Sequence, residues 1–239
     1  MITAFTSPNC GARKPEQGHP PEIDTLVIHY TGMMPTERAR DWLCDPASKV
    51  SAHYLLDEDG TTWRFVDEEA RAWHAGVGAW RGWHDINSRS IGIELSNPGH
   101  DYGYRDFPDA QIAALIALSR DILARHPIPA HNVVAHSDIA PDRKIDPGER
   151  FPWARLAAAG IGLWPDADAP IDAAPSMQDA PIIMLSEIGY DTDHYTEETI
   201  VSAFQRRFRP SLFDGVLDDE TKQRIGQVHS LVAASSGSA

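Results

Sequence analysis

A chain of 239 residues with 42% hydrophobic, 23% charged and 8% aromatic side chains has the composition of a globular protein with a sizeable core. At roughly 100–200 residues per domain, this length allows one large domain or one domain with a small module. The 21 basic and 35 acidic side chains leave a net charge of −14, which argues against nucleic acid as a partner, since phosphate binding needs concentrated positive charge. No apolar run reaches the ~18–20 residues of a membrane span. The segment from Met1 to Cys10 carries neither a basic stretch nor a long apolar one. A cytoplasmic location is therefore expected, with the periplasm or cell envelope as the alternative if an export signal is missing from this chain. Two cysteines, Cys10 and Cys44, cannot build a disulfide framework.

In chain order, residues 25–30 form a short apolar, β-branched run that predicts a buried strand. Thr36 is placed to N-cap a helix carrying Ala39, Trp42 and Leu43 on one face. Residues 51–56 and 62–66 flank a Gly-containing turn at 57–60 and predict a hairpin. Residues 91–95 alternate as a strand. Ile112, Leu115, Ile116, Ser119, Ile122 and Leu123 trace a helical stripe that stops before Pro127, and residues 132–135 read as another strand. Strands interleaved with helices, plus one hairpin, predict an α/β domain with a mixed central β-sheet flanked by helices.

Beyond this domain the composition changes. Thirteen of the seventeen residues at 165–181 are Ala, Asp or Pro, as in a linker. All seven tryptophans precede that stretch. The expected organisation is a first domain over 1–164, a linker over 165–181, a small three-helix unit over 182–233 and a disordered tail over 234–239. In the three-helix unit Met184, Leu185 and Ile188 share a face that ends at Gly189, a C′ glycine. Ile200, Ala203, Phe204 and Phe208 form a second face; Thr221, Ile225 and Val228 form a third.

Of the eleven histidines, His19, His100, His126, His131, His194 and His229 sit in loop-like or helix-end contexts without a partner nearby in sequence, and His84 lies in a loop beside Asp85. His29 and His136 differ, because each ends an apolar strand, and Asp146 follows His136 by ten residues. Open α/β sheets bind ligands at strand carboxyl ends, so the two imidazoles can converge there. Two neutral imidazoles and a carboxylate match a catalytic zinc site, which keeps one position open. Alternation in residues 90–97 puts Gly92, Glu94 and Ser96 on one face, so Glu94 either meets solvent or aims into a site. Lys144, two residues before Asp146, is either a solvated loop lysine or a cation placed to hold a developing oxyanion.

Five segments occur in order: VIHYTG at 27–32, VSAHYLLDEDG at 50–60, AWHAG at 72–76, SIGIE at 90–94 and HSDIAPDRKIDPG at 136–148. Together they closely resemble the zinc N-acetylmuramoyl-L-alanine amidases that share the peptidoglycan-recognition-protein fold. The resemblance implies one zinc ion on His29, His136 and Asp146, with Glu94 and Lys144 at the catalytic positions. It also implies that Tyr30, His53, Trp73 and His74 lie near the substrate, with core packing as the alternative for His53 and Trp73. The partner it implies is peptidoglycan or a muropeptide, cut at the amide between N-acetylmuramic acid and L-alanine. The segment from His136 to Asp146 is most similar to the branch that accepts 1,6-anhydro-muropeptides in cell-wall recycling. The alternative is a non-catalytic peptidoglycan receptor on the same fold. Such receptors typically lack a ligand or catalytic group, whereas all five candidates are present here. In the tail, LSEIGY at 185–190, AFQRRFRP at 203–210 and DGVLDDET at 214–221 resemble a three-helix peptidoglycan-binding module. By that resemblance Arg206, Arg207 and Arg209 meet anionic wall peptides; a solvated helix face is the other reading.

Overall fold

The structure, a computed structural model, describes residues 2–166 and 181–236. Most of the linker expected at 165–181, and the last residues of the tail expected to be disordered, lie outside the described residues. The elements run β1 (Ile2–Ala4), β2 (Cys10–Ala12), β3 (Thr25–Tyr30), α1 (Thr36–Cys44), β4 (Tyr54–Leu56), β5 (Thr62–Arg64), β6 (Ala70–Ala72), α2 (Ile86–Arg89) and β7 (Ser90–Leu95). They continue with α3 (Asp109–Arg125), β8 (Val133–Ala135), α4 (His136–Ile139), α5 (Trp153–Ala158), α6 (Pro181–Ile188), α7 (Glu197–Phe208) and α8 (Asp219–Ser236). Helix α8 continues past residue 233, where the sequence predicts order to end. Among the described residues no helix is long and apolar enough to cross a membrane.

Six strands form one mixed sheet in the order β1-β5-β4-β7-β3-β8. Strand β3 pairs in parallel with β7 and β8, β4 in parallel with β7, and β4 and β5 form the expected antiparallel hairpin. A separate antiparallel pair joins β2 and β6. Alternation divides the central strands between two cores. Leu26, Ile28, Ile91 and Ile93 pack with Ile112, Leu115 and Ile122 of α3 on one face. Val27 and Val134 face the other way, against Trp80, Ile86 and the C-terminal helices. Each fully buried aliphatic side chain contributes about 1.5–3 kcal/mol. Buried Gln111 donates to the carbonyls of Leu56 and Ser96, fixing the start of α3 to the ends of β4 and β7.

One sequence expectation for α1 fails. Thr36 is already helical, and Pro35 precedes it. The Thr36 hydroxyl bonds Asp57 Oδ1 at 2.6 Å and lies 2.5 Å from Ser96 Oγ, so it anchors the helix to the hairpin turn and does not cap it. Ala39, Trp42 and Leu43 share one face as expected, with Ala39 and Leu43 buried and Trp42 45% exposed. Helical spacing places a side chain on a face without saying whether that face meets the core or a cleft.

Helices α6, α7 and α8 pack on the sheet face that carries Val27 and Val134. Met184, Leu185, Ile188, Phe204, Phe208, Ile225 and Val228 share one core with these two valines and Trp80. Gly189 ends α6 with φ +143°, and a Cβ there would meet the Trp80 ring at 2.6 Å, so both backbone and packing require glycine. The arginine cluster turns inward, not towards wall peptides or solvent. Arg207, 4% exposed, donates to Asp138 Oδ2 at 2.5 Å and to the Val133 carbonyl at 2.8 Å, and its guanidinium stacks over Trp153 and Phe208. Arg209 pairs with Asp218 and Glu220, and Arg206 lies over Phe213 with Glu149 3.7 Å away. Asp138, 1% exposed, also accepts from the Tyr190 hydroxyl at 2.7 Å and the Ala135 amide at 2.8 Å. Removing the guanidinium leaves a buried carboxylate with its countercharge gone. Arg207→Met is expected to cost about 3 kcal/mol in urea unfolding, and adding Asp138→Asn to it should recover part of that loss.

Candidate active site and metal centre

The parallel register of β3 and β7 sets His29 beside Glu94, and β3 and β8 run side by side, so that α4 opens with His136 at the same edge of the sheet. His136 therefore begins a short helix and does not end the strand. Asp146 returns on the following loop, where its backbone carbonyl accepts from the Ser137 amide at 3.0 Å. The result is a compact triangle. His29 Nδ1 and His136 Nδ1 are 2.9 Å apart, and Asp146 Oδ2 lies 3.1 Å from the first and 3.0 Å from the second.

These atoms are short of protons. His136 Nε2 donates to the Ala75 carbonyl at 3.0 Å, so in the neutral ring Nδ1 carries the lone pair. Burial, with His136 beside it, lowers the His29 pKa to about 4, so this imidazole is neutral at pH 7. Burial alone would raise the Asp146 pKa; the imidazoles of His136 and His29 outweigh it and hold the carboxyl well below the usual range. Three buried acceptors facing one another are unfavourable unless a cation joins them. Bonds of about 2.0–2.1 Å to a tetrahedral zinc ion put neighbouring donors about 3.3 Å apart, close to the edges of this triangle. Neutral nitrogen, neutral nitrogen and ionised oxygen are a donor set that zinc accepts. The residues fit the ion.

The triangle opens into a cavity of about 440 Å³ lined by Tyr30, Trp73, His74, Glu94 and Lys144 among others. Glu94 Oε2 is shut away from solvent with no hydrogen-bond partner among the described residues. Burial, reinforced by Asp146 and opposed by Lys144, pushes its pKa up to about 8. A carboxyl so placed is a far stronger base than an exposed one. The lining also includes an apolar set, Met33, Leu43, Val50 and the exposed Trp42.

His53 does not join them. It is 0% exposed and stands behind His74, with ring centroids 5.7 Å apart. Its Nδ1 accepts from the Gly92 amide at 3.0 Å, and its Nε2 donates to the Ala70 carbonyl at 3.2 Å. Its proximity to the site in sequence motif is thus a fact of core packing. Conversely, His100, discounted as a loop histidine, reaches the cavity through Tyr30. The Tyr30 hydroxyl lies 2.9 Å from His100 Nδ1, and His100 Nε2 lies 3.0 Å from Glu149 Oε2. Residues seventy positions apart give no periodic or motif signal that would pair them.

Gly92 supplies space for the site. On β7 it shares a face with Glu94, and a Cβ there would lie 2.4–2.6 Å from three atoms of the His74 ring. Gly92→Ala must push this ring aside in a close-packed interior. The expected cost is about 1–3 kcal/mol in thermal or urea unfolding, and Gly92→Ser should cost no less.

Residues 18–149 match the family model described as N-acetylmuramoyl-L-alanine amidase. The chain is 40% identical to the N-acetylmuramoyl-L-alanine amidase AmiD of Escherichia coli, with 88% of this chain and 83% of AmiD aligned. It is 38% identical to the 1,6-anhydro-N-acetylmuramyl-L-alanine amidase AmpD of the same species, covering 61% of this chain and 90% of AmpD. Among solved structures, E. coli AmiD bound to anhydro-N-acetylmuramic acid-L-Ala-D-γ-Glu-L-Lys superposes with a TM-score of 0.78 at 38% identity, covering 92% of this chain and 93% of AmiD. AmpDh3 of Pseudomonas aeruginosa with an anhydromuramic pentapeptide gives 0.79 at 32% identity, covering 91% of this chain and 95% of AmpDh3. On these matches the chain belongs to the N-acetylmuramoyl-L-alanine amidase family.

Proposed function

We propose that this protein hydrolyses the amide between the lactyl carbonyl of N-acetylmuramic acid and L-alanine, on muropeptides that include the 1,6-anhydro form. The observation that carries the reading is the convergence of three proton-poor donors, His29, His136 and Asp146, in a cavity that also holds Glu94 and Lys144. The likeness to AmiD and AmpDh3, both solved with anhydromuramic peptides, supports the substrate class.

His29, His136 and Asp146 would hold one zinc ion, which when bound supplies Lewis acidity and lowers the pKa of a water in its open position to about 7. Glu94 takes a proton from the attacking water and returns it to the leaving amine, so that water and amide become a carboxylic acid and a free peptide amine. Burial suits Glu94 to both halves of this exchange, because it raises proton affinity towards the working pH. The Lys144 ammonium offsets charge on the carbonyl oxygen as the tetrahedral state forms. Tyr30, Trp73 and the apolar lining with Trp42 position the substrate around the scissile bond. The three C-terminal helices enter as a packed continuation of the catalytic body. A peptidoglycan contact made by them must use a face other than the one carrying Arg207 and Arg209.

The test is release of free stem peptide from an anhydro-muropeptide, followed by mass spectrometry on the zinc-loaded full chain. One bound zinc with peptide release is expected; one bound zinc with intact substrate would overturn the reading. Glu94→Gln should keep the metal and lower turnover about 10²–10⁴-fold. Chelation should lower the melting temperature of the parent chain, since an ion bound only to the native state stabilises it. Asp146→Ala should abolish that difference.

A further inference from the structure

The buried ring of His74 stands edge-on to His29, with centroids 5.1 Å apart and an interplanar angle of 82°. His74 Nδ1 lies 3.0 Å from His29 Nε2. On its far side His74 Nε2 lies 3.1 Å from Ser90 Oγ, which is in turn 2.6 Å from the Ile86 carbonyl oxygen. The direction of this chain is set at its far end. A carbonyl only accepts, so Ser90 spends its one proton on Ile86. The Ser90 oxygen can then only accept from His74, which places the His74 proton on Nε2 and leaves a lone pair on Nδ1. His29 must donate to that lone pair from Nε2. The remaining lone pair of His29, on Nδ1, is then the one aimed at His136 and Asp146.

The opposite tautomer would point an N–H into the triangle of donors and remove a ligand. It would also require Ser90 to abandon the Ile86 carbonyl. The backbone next to His74 controls the second imidazole as well, since the Ala75 carbonyl receives His136 Nε2. Asn87 Oδ1 accepts from the amides of both His74 (3.0 Å) and Ala75 (2.8 Å), and Arg143 donates to the Ala75 carbonyl at 2.6 Å. One short loop, held from two sides, therefore dictates which nitrogen each histidine offers.

We propose that His74 is a positioning residue: the relay from Ile86 through Ser90 and His74 fixes the Nε2–H tautomer of His29 and so presents Nδ1 as a metal ligand. This inference rests on the metal reading of the preceding subsection and assigns His74 a task other than substrate contact. Outer partners of metal-bound histidines are worth roughly 10–100-fold in metal affinity.

The experiment measures zinc affinity of the full chain by competition with a chromophoric chelator, with circular dichroism to check the fold. His74→Leu keeps an apolar side chain in the space but offers no acceptor, and should bind zinc roughly 10–100-fold more weakly than the parent. His74→Asn places an amide oxygen where Nδ1 stood and should recover most of that loss. Leu and parent binding equally, or Leu and Asn binding equally weakly, overturns the relay. Should His74→Leu fail to fold, Ser90→Ala decides instead. It removes one hydroxyl and leaves His74 in place, so a several-fold weakening supports the relay and unchanged affinity overturns it. A parent chain that binds no zinc removes the metal reading itself, whatever the variants do.

Discussion

The site depends on one constraint, the in-register parallel pairing of three strands. Val27 lies opposite both Gly92 and Val134. Two residues further on, the same sheet face carries His29 beside Glu94, and the chain of β8 passes into His136. Because side chains alternate with a period of two, a slip of one residue in any of these pairings would turn a functional group onto the α3 face. The aliphatic alternation guards against that slip. Leu26, Ile28, Ile91 and Ile93 could not all remain in the α3 core if the register changed. Hydrophobic burial thus supplies the precision that a cluster of mutually repelling acceptors cannot supply for itself.

The same face explains how the C-terminal helices relate to the chemistry. Its lower row, Val27 and Val134, needs an apolar cover, and α6, α7 and α8 provide it. Asp138 stands two residues after His136, and its carboxylate is held by Arg207 of α7 and by Tyr190, just past the end of α6. Burial and the neighbouring Asp138 push the Tyr190 pKa well above its ordinary value, so Tyr190 stays a donor. The short helix that starts with a metal-ligand candidate is therefore pinned from the C-terminal part of the chain. Taking these helices away would expose both an apolar surface and a buried carboxylate.

How much of this was legible in the sequence follows from what periodicity can report. The runs that became β3 and β7, and the position of Glu94 on the face shared with Gly92, follow directly from alternation. His29 and His136 stood out because polar groups at the ends of apolar strands need partners, and Asp146 because it follows His136 by ten residues. What periodicity does not report is how a side chain is covered or neutralised by another segment. Helical spacing places Ala39, Trp42 and Leu43 on one face, but it does not say that this face borders the cavity. His53 belongs to a motif beside the site, yet it bonds the backbone behind it. The arginines of α7 read as a cationic face because the carboxylate that neutralises Arg207 lies 69 residues away. Asn87 carried no signal and Ser90 only its place in the segment at 90–94, since their value lies in which atoms they leave unprotonated elsewhere.

The charge of the whole chain acquires a local meaning from these assignments. A net charge of −14 opposes an acidic muropeptide at a distance, so binding must draw on positive charge at the cavity. Arg143 lines the cavity but spends its guanidinium on the carbonyls of Ala75 and Val77. Arg207 and Arg209 are buried in their own ion pairs. Among the described residues lining the cavity, Lys144 is thus left as the cation whose charge would answer a substrate oxygen, beside the group of His29, His136 and Asp146 that would hold a dication. Two neutral imidazoles and one carboxylate make such a centre +1 in total. Replacing either histidine by a second carboxylate would bring it to zero and forfeit much of the attraction for a developing oxyanion. On the proposed reading this choice of ligands would serve the reaction as well as the ion: it would hold the metal while leaving the excess of positive charge where the negative charge forms.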